Sequence, residues 1–277
     1  MASVPSIPIT VGSVAPSAFP GAQLLTEKPA PKKSETPLHF QYAPSPDGKN
    51  RNLLIFLHGL GDTEAPFYDL GRKLNLPRTA VLSIRAPIQI PLLEEPAFMF
   101  YNSFTFPDFM PEPNPNPSEI LSQLSSFVTH LTNPIDKKGC NWSLSNIHFF
   151  GFGQGGSVAC ELALRLQGSS PSGSRLGSLV TIAGPLLSFS TRKPNQTPVL
   201  AVHRPSVLFK LSELNALKKA FGQVKEVKFK TGEGMPKGQA EWGVIMKFWS
   251  EVLGGEQSIG GGGEMYEVLQ GGPSIPR

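Results

Sequence analysis

Two short glycine-rich stretches in this 277-residue chain hold the residue types and spacing that could do chemistry. The first is Leu57-His58-Gly59-Leu60-Gly61-Asp62, which closes the apolar run Leu53 to Leu57. The second is Gly151-Phe152-Gly153-Gln154-Gly155-Gly156, which closes a run from Asn146 and leads directly into a helical pattern. Strand, tight glycine turn and helix in succession form the setting of a nucleophile elbow, G-x-S-x-G, whose sharp turn lifts a serine hydroxyl above the sheet. Gly151 and Gly155 stand at the outer positions of that pattern, but its centre is Gly153. Without an Oγ there is no group to form an acyl-enzyme. The backbone N–H groups of residues 59–61 and 154–156 remain, and at the head of a helix they suit an anion or a polarised carbonyl oxygen.

The elements that must position these turns follow from periodicity. Continuous apolar runs of strand length lie at 53–57, 80–84, 146–151, 178–183, 198–203 and 226–229. Helical patterns separate them at 118–131, 156–167, 211–221 and 239–253. Continuous runs are expected for strands covered on both faces, and strands alternating with helices of this length predict βαβ units. Right-handed crossovers then give an α/β fold, a mostly parallel sheet flanked by helices on both faces. In such sheets ligands gather beyond the carboxyl ends of the strands, where both glycine turns fall.

Phe56 to Asp62 reads F-L-H-G-L-G-D, and Gly151 to Gly156 departs by one residue from G-F-S-Q-G-G. On these motifs the chain resembles the acyl-protein thioesterase and carboxylesterase branch of the α/β-hydrolases, over roughly residues 36–253. The resemblance implies an α/β-hydrolase fold and an ester or thioester hydrolase ancestry. It also locates three catalytic positions, none of which holds the family's residue. The nucleophile position is Gly153, the acid position after the strand ending at His203 is Val207, and the histidine position is Lys237 in Glu233-Gly234-Met235-Pro236-Lys237. Every aspartate lies at or before Asp136, and the single histidine after the elbow is His203. The order serine, acid, histidine is therefore not met in the usual places. Glycine at the elbow also relieves a backbone strain of ~1–3 kcal/mol that any other residue would carry. By the same resemblance, the N–H groups of Leu60 and Gln154 form the oxyanion pair. The loop from Ala86 to Phe109 walls an acyl-binding groove, with Ile88, Leu92, Phe98 and Phe100 as candidate lining.

Substitute catalytic groups are weighed against plainer roles. Ser157, one helical turn past Gly153, is a candidate displaced nucleophile or an ordinary first-turn serine. His203 is a candidate ligand or base, or a hydrogen-bonded structural histidine. His58 is expected to support the loop behind the oxyanion hole, and Cys160 to be a small buried hydrophobe. The leading expectation is a catalytically impaired homologue that binds an acyl-type small molecule or a protein partner. A working hydrolase with relocated residues and a pure interaction scaffold stay open beside it.

Composition bounds the rest. With 39% hydrophobic and 17% charged residues the chain can bury a sizeable core, which excludes a disordered or fibrous protein. A net charge of +4 without a dense basic block argues against nucleic acid, and no apolar stretch is long enough to span a bilayer. Two cysteines, Cys140 and Cys160, supply neither a disulfide framework nor a zinc site, so no metal or cofactor is expected and the location read is cytoplasmic. Residues 1–35, rich in Ser, Pro and Ala, are expected to be a disordered extension. Residues 254–277, rich in Gly, are expected to be a flexible tail.

Overall fold

Strand β2 (Asn52–Leu57) shows why the apolar runs become the centre of the molecule, since all six of its residues are buried. Leu53, Ile55 and Leu57 point into one hydrophobic layer, while Leu54 and Phe56 point into the other. A strand clothed on both faces has no polar face to alternate with. The computed structural model describes residues 27–105, 108–169, 175–189, 191–205, 209–230 and 234–254.

Around β2 lie β1 (Phe40–Ala43), β3 (Thr79–Ile84), β6 (Ile147–Phe152), β7 (Ser178–Ile182), β8 (Val199–His203) and β9 (Val224–Lys228). They form one seven-stranded sheet in the order β1-β3-β2-β6-β7-β8-β9. All neighbours are parallel except β1, which runs antiparallel to β3 at the edge. A separate two-stranded hairpin, β4 (Ile88–Gln89) with β5 (Phe98–Met99), stands over the loop region. Helices α2 (Ser118–Thr132), α3 (Gln154–Ser169) and α4 (Leu211–Ala220) cover one face of the sheet. Helices α1 (Glu64–Leu74) and α5 (Gly238–Val252) cover the other. The fold is that of an α/β-hydrolase, as the sequence predicts.

The six predicted strands and four predicted helices all form, within a few residues of their expected ends. Three features escape sequence reading. Strand β1 is short, half-buried and carries no continuous apolar run. The two-residue strands β4 and β5 are too brief to leave a period. Helix α1 contains Pro66 and Gly71, both helix-breaking by type. Pro66 falls in the first turn, where no intrahelical N–H is lost. Gly71 lets the helix approach the sheet, since a Cβ there would lie 2.6 Å from Val81 and 2.7 Å from Phe56. Of the stretch read as an N-terminal extension, residues 1–26 lie outside the described residues. Within residues 27–35, Pro31 is buried and the Lys28 ammonium is hydrogen-bonded to the Asn141 carbonyl over the Trp142 ring, while residues 32–35 are exposed. Residues 255–277 of the expected tail also lie outside the described residues.

Candidate functional site

The two glycine turns meet at the carboxyl end of β2 and β6, which are paired through Leu57 and Gly151. Close packing holds them. A Cβ on Gly155 would come within 2.2 Å of the Leu57 carbonyl oxygen, and one on Gly151 within 2.4 Å of the Gly155 backbone. The outer glycines of the elbow are therefore required by space. Gly153 differs: its φ is +51°, the left-handed turn of an elbow, yet among the described residues a Cβ there would meet nothing nearer than the Gly59 Cα at 4.0 Å. Its N–H donates to the Ile182 carbonyl at 2.8 Å, and its carbonyl accepts the Ser157 N–H at 3.1 Å. The elbow geometry is present and carries no side chain.

His58 behaves as expected. Fully buried, it donates from Nδ1 to the Gly59 carbonyl at 2.7 Å and accepts the Ala86 N–H at Nε2 at 2.9 Å. These bonds fix the tautomer, and burial holds its pKa below the ordinary value. Leu60, 46% exposed, stands at the rim, and Gly61 is tied by its N–H to the Phe98 carbonyl. Gln154 opens α3, so its N–H belongs to the helix-terminal amides that lack an intrahelical partner. Its side chain does something the sequence did not reveal. The amide accepts the Phe100 N–H and donates to the Tyr101 carbonyl and the Ser103 hydroxyl, fastening the loop after β5 to the elbow.

The loop after β8 and the first turn of α5 are joined by an ion pair. Arg204 follows β8 directly and is 7% exposed. Its Nη1 donates to Glu241 Oε1 at 2.9 Å and its Nη2 to Oε2 at 2.5 Å, in the bidentate geometry that suits arginine. The same guanidinium reaches the Met235 carbonyl and lies 5.0 Å over the Phe229 ring. Glu241 also accepts the Lys237 backbone N–H at 2.6 Å. The Arg204 hydrogen bonds hold the Glu241 carboxyl below the usual carboxylate range. Lys237, the residue at the expected histidine position, is exposed and serves as the N-cap of α5. Val207 lies outside the described residues.

The substitute candidates share no hydrogen bond among the described residues. His203 Nε2 is 3.0 Å from Glu226 Oε1, whose other oxygen accepts from Lys218 at 3.0 Å, and the His203 ring stacks on Phe209. These partners hold the Glu226 carboxyl below its ordinary range. Ser157 is fully buried, and its Oγ lacks a hydrogen-bond partner of regular geometry among the described residues. Cys160 is fully buried, and burial pushes its thiol well up, so it is a hydrophobe and not a nucleophile. Among the described residues no three His, Cys, Asp or Glu side chains cluster in a way that could hold a metal ion. No helix among them is long and apolar enough to cross a membrane.

The expected groove residues divide. Ile88 and Phe100 line a cleft of about 400 Å³, together with Pro87, Tyr101, Ile120 and a polar strip described below. Leu92 does not join them: it is 86% exposed on the loop between β4 and β5, where Ile90, Ala97 and Met99 take up the apolar space beneath. Phe98 lies under the Arg85 guanidinium at 4.7 Å, outside the lining. Neither Gln154's fastening role nor the Arg204–Glu241 pair left a sequence signal, because both join residues more than thirty positions apart.

The chain's likenesses agree with this geometry. Residues 41–252 match the family model of phospholipases and carboxylesterases. An uncharacterized hydrolase of Mycosarcoma maydis is 35% identical over 222 residues, covering 77% of this chain and 81% of that protein. An uncharacterized hydrolase of Schizosaccharomyces pombe is 31% identical over 171 residues, covering 59% of this chain and 64% of that protein. Among solved structures, acyl-protein thioesterase 2 of Zea mays superposes with a TM-score of 0.57 at 18% identity, covering 78% of this chain and 99% of the other. The Bacillus cereus carboxylesterase gives 0.58 at 14% identity, covering 79% and 96%. At such identities the structures speak for the fold alone, whereas the match over residues 41–252 speaks for descent. The chain belongs to the phospholipase/carboxylesterase family of α/β-hydrolases.

Proposed function

We propose that this chain is a thioesterase- and carboxylesterase-like homologue that no longer hydrolyses esters and retains a binding role. Its ligand is of acyl type, with the carbonyl oxygen on the Leu60 and Gln154 N–H groups, and a protein partner is the alternative occupant. The observation that carries this reading is Gly153, which keeps the left-handed elbow turn at φ +51° without a nucleophile. Two further features support it. Lys237 caps α5 where the resemblance expects an imidazole, and Glu241 is engaged by Arg204. The state of Ser157 and His203, one enclosed and the other held by Glu226, weighs against a relocated serine–histidine pair. Free, buried Cys140 and Cys160 suit a reducing, cytoplasmic setting.

The test is labelling with a fluorophosphonate serine-hydrolase probe, with p-nitrophenyl ester and acyl-thioester hydrolysis measured in parallel. The expected outcome is no labelling and no turnover above a heat-denatured control. A rate within about a hundredfold of an active relative, abolished by Ser157→Ala, would overturn the proposal in favour of a relocated site.

A further inference from the structure

The cleft beside Gln154 has two unlike walls. One is apolar, formed by Pro87, Ile88, Phe100 and Ile120. Phe100 and Ile120 are each 1% exposed, so the core backs this wall. The other wall comes from a single stretch, Pro111-Glu112-Pro113-Asn114-Pro115-Asn116-Pro117, in which proline alternates with a polar residue. A residue before proline is driven out of the helical region into extended backbone. In extended chain, residues two apart point to the same side. The chain bends at Pro113 and Asn114, yet the alternation persists: Glu112, Asn114 and Asn116 line the cleft, and none of the four prolines around them does. Because proline fixes φ in the unfolded chain too, the strip holds its polar side chains in place at reduced entropic cost. Glu119, in the first turn of α2, adds a second carboxylate to the lining.

The charge there has one sign. Among the described residues the lining contains Glu112 and Glu119 and no Lys, Arg or His. The hydrogen bonds these carboxylates accept come from neutral amides, the Asn114 N–H and the Gln123 side chain. The asymmetry extends along the chain. Residues 86–119 hold Glu94, Glu95, Asp108, Glu112 and Glu119 without one basic residue, in a protein where 25 Lys and Arg exceed 21 Asp and Glu. Arg85, just before this segment, is drawn away onto the Phe98 ring and toward Glu64. A slot with an apolar wall, neutral amides and carboxylates opposite disfavours a free fatty acid, whose head would meet like charge.

We propose that this slot binds a small organic cation with an apolar body, an alkyl- or arylalkyl-ammonium. Its charge rests against Glu112 and Glu119, and its body lies along Pro87 and Ile88, which the buried Phe100 and Ile120 back. A volume of about 400 Å³ is in the range of small-molecule sites. The inference differs from the acyl-ligand reading in its polar anchor, Glu112 and Glu119 in place of the elbow N–H groups, while both readings use Ile88 and Phe100.

Calorimetric titration of the full chain with phenylbutylammonium, phenylbutanol and phenylbutanoate tests it. The ammonium should bind about tenfold or more tighter than the carboxylate, the alcohol falling between them. Glu112 is half-buried and Glu119 exposed, so the double variant Glu112→Gln, Glu119→Gln should fold, which its melting curve checks. That variant should lose the preference for the ammonium while keeping weak binding of the alcohol. Equal affinity for ammonium and carboxylate, an unchanged ammonium affinity in the double variant, or no ammonium binding at all would each overturn the proposal.

Discussion

The turns after β2 and β6 are held by backbone, whereas the loops after β8 and before α5 are held by side chains. In the first region Gly151 and Gly155 have no room for a Cβ, and Gly153 bonds through its own N–H and carbonyl. In the second, Arg204 grips Glu241 from another element, and Glu241 in turn takes the Lys237 N–H. The difference is between a geometry set by close backbone approach and one set by side-chain pairing. A geometry made by backbone and close approach tolerates almost no change in residue type. A loop positioned by side chains can be repositioned by different ones, and here a bidentate ion pair performs that task. The elbow's Gly153 sits at the boundary between the two cases, in a required conformation but with open space beside it.

The sharpest way to break this comparison is Gly155→Ala. Its Cβ would sit 2.2 Å from a backbone oxygen that no rotamer change can move. The expected loss is about 3 kcal/mol of stability, or failure to fold, read by urea denaturation. A loss near zero would mean that the two turns do not pack through backbone.

Arg204→Met tests the side-chain-held half. Removing one partner of a largely buried pair should lower the melting temperature by several degrees, against almost no change for Lys225→Met in the exposed Lys225–Glu251 pair. The sign with pH follows from Glu241. Its folded pKa is depressed below 4.5 by Arg204, so the pair's contribution is present above that value and lost as pH falls through the folded value. The gap between wild type and Arg204→Met should therefore narrow below about pH 4.5. A gap that stays constant in acid would assign the effect to packing on Phe229 instead.

The smallest effect is expected at the boundary. Gly153→Ser has space for its side chain and suffers only the left-handed φ, so the cost should be about 1 kcal/mol. Turnover of p-nitrophenyl esters should stay at background, because no imidazole stands at Lys237. A serine variant as stable as the wild type would show that the turn relaxes when loaded. A serine variant that turns over ester would show that the loops opposite still supply a base.

Much of the fold was legible because its strands are buried on both faces. Burial of that kind writes itself as continuous apolar runs, as in Leu53 to Leu57 and Ser178 to Ile182. The edge strand Phe40–Ala43 and helix Glu64–Leu74 were not legible, since one is half-buried and the other carries a proline and a glycine whose positions matter more than their types. At the site, the glycine turns and the change at Gly153 could be read directly, and so could His58 as a buried support. The residues read as groove lining lie in two different places. Ile88 and Phe100 line a cleft, while Leu92 stands in solvent because its backbone turns left-handed at φ +66° and points it away from the hairpin's apolar cluster.

What the sequence by itself determined is therefore whatever rests on local chemistry. That includes the alternation of strands and helices, the glycine turns and the lack of a hydroxyl at residue 153. What only the tertiary structure decided is which distant groups meet. Gln154 fastens the loop at Phe100 and Tyr101, Arg204 closes onto Glu241, and Glu226 takes up His203. Those contacts depend on the crossing of elements far apart in the chain. A side chain's type limits the bonds it can make, but the fold chooses its partner.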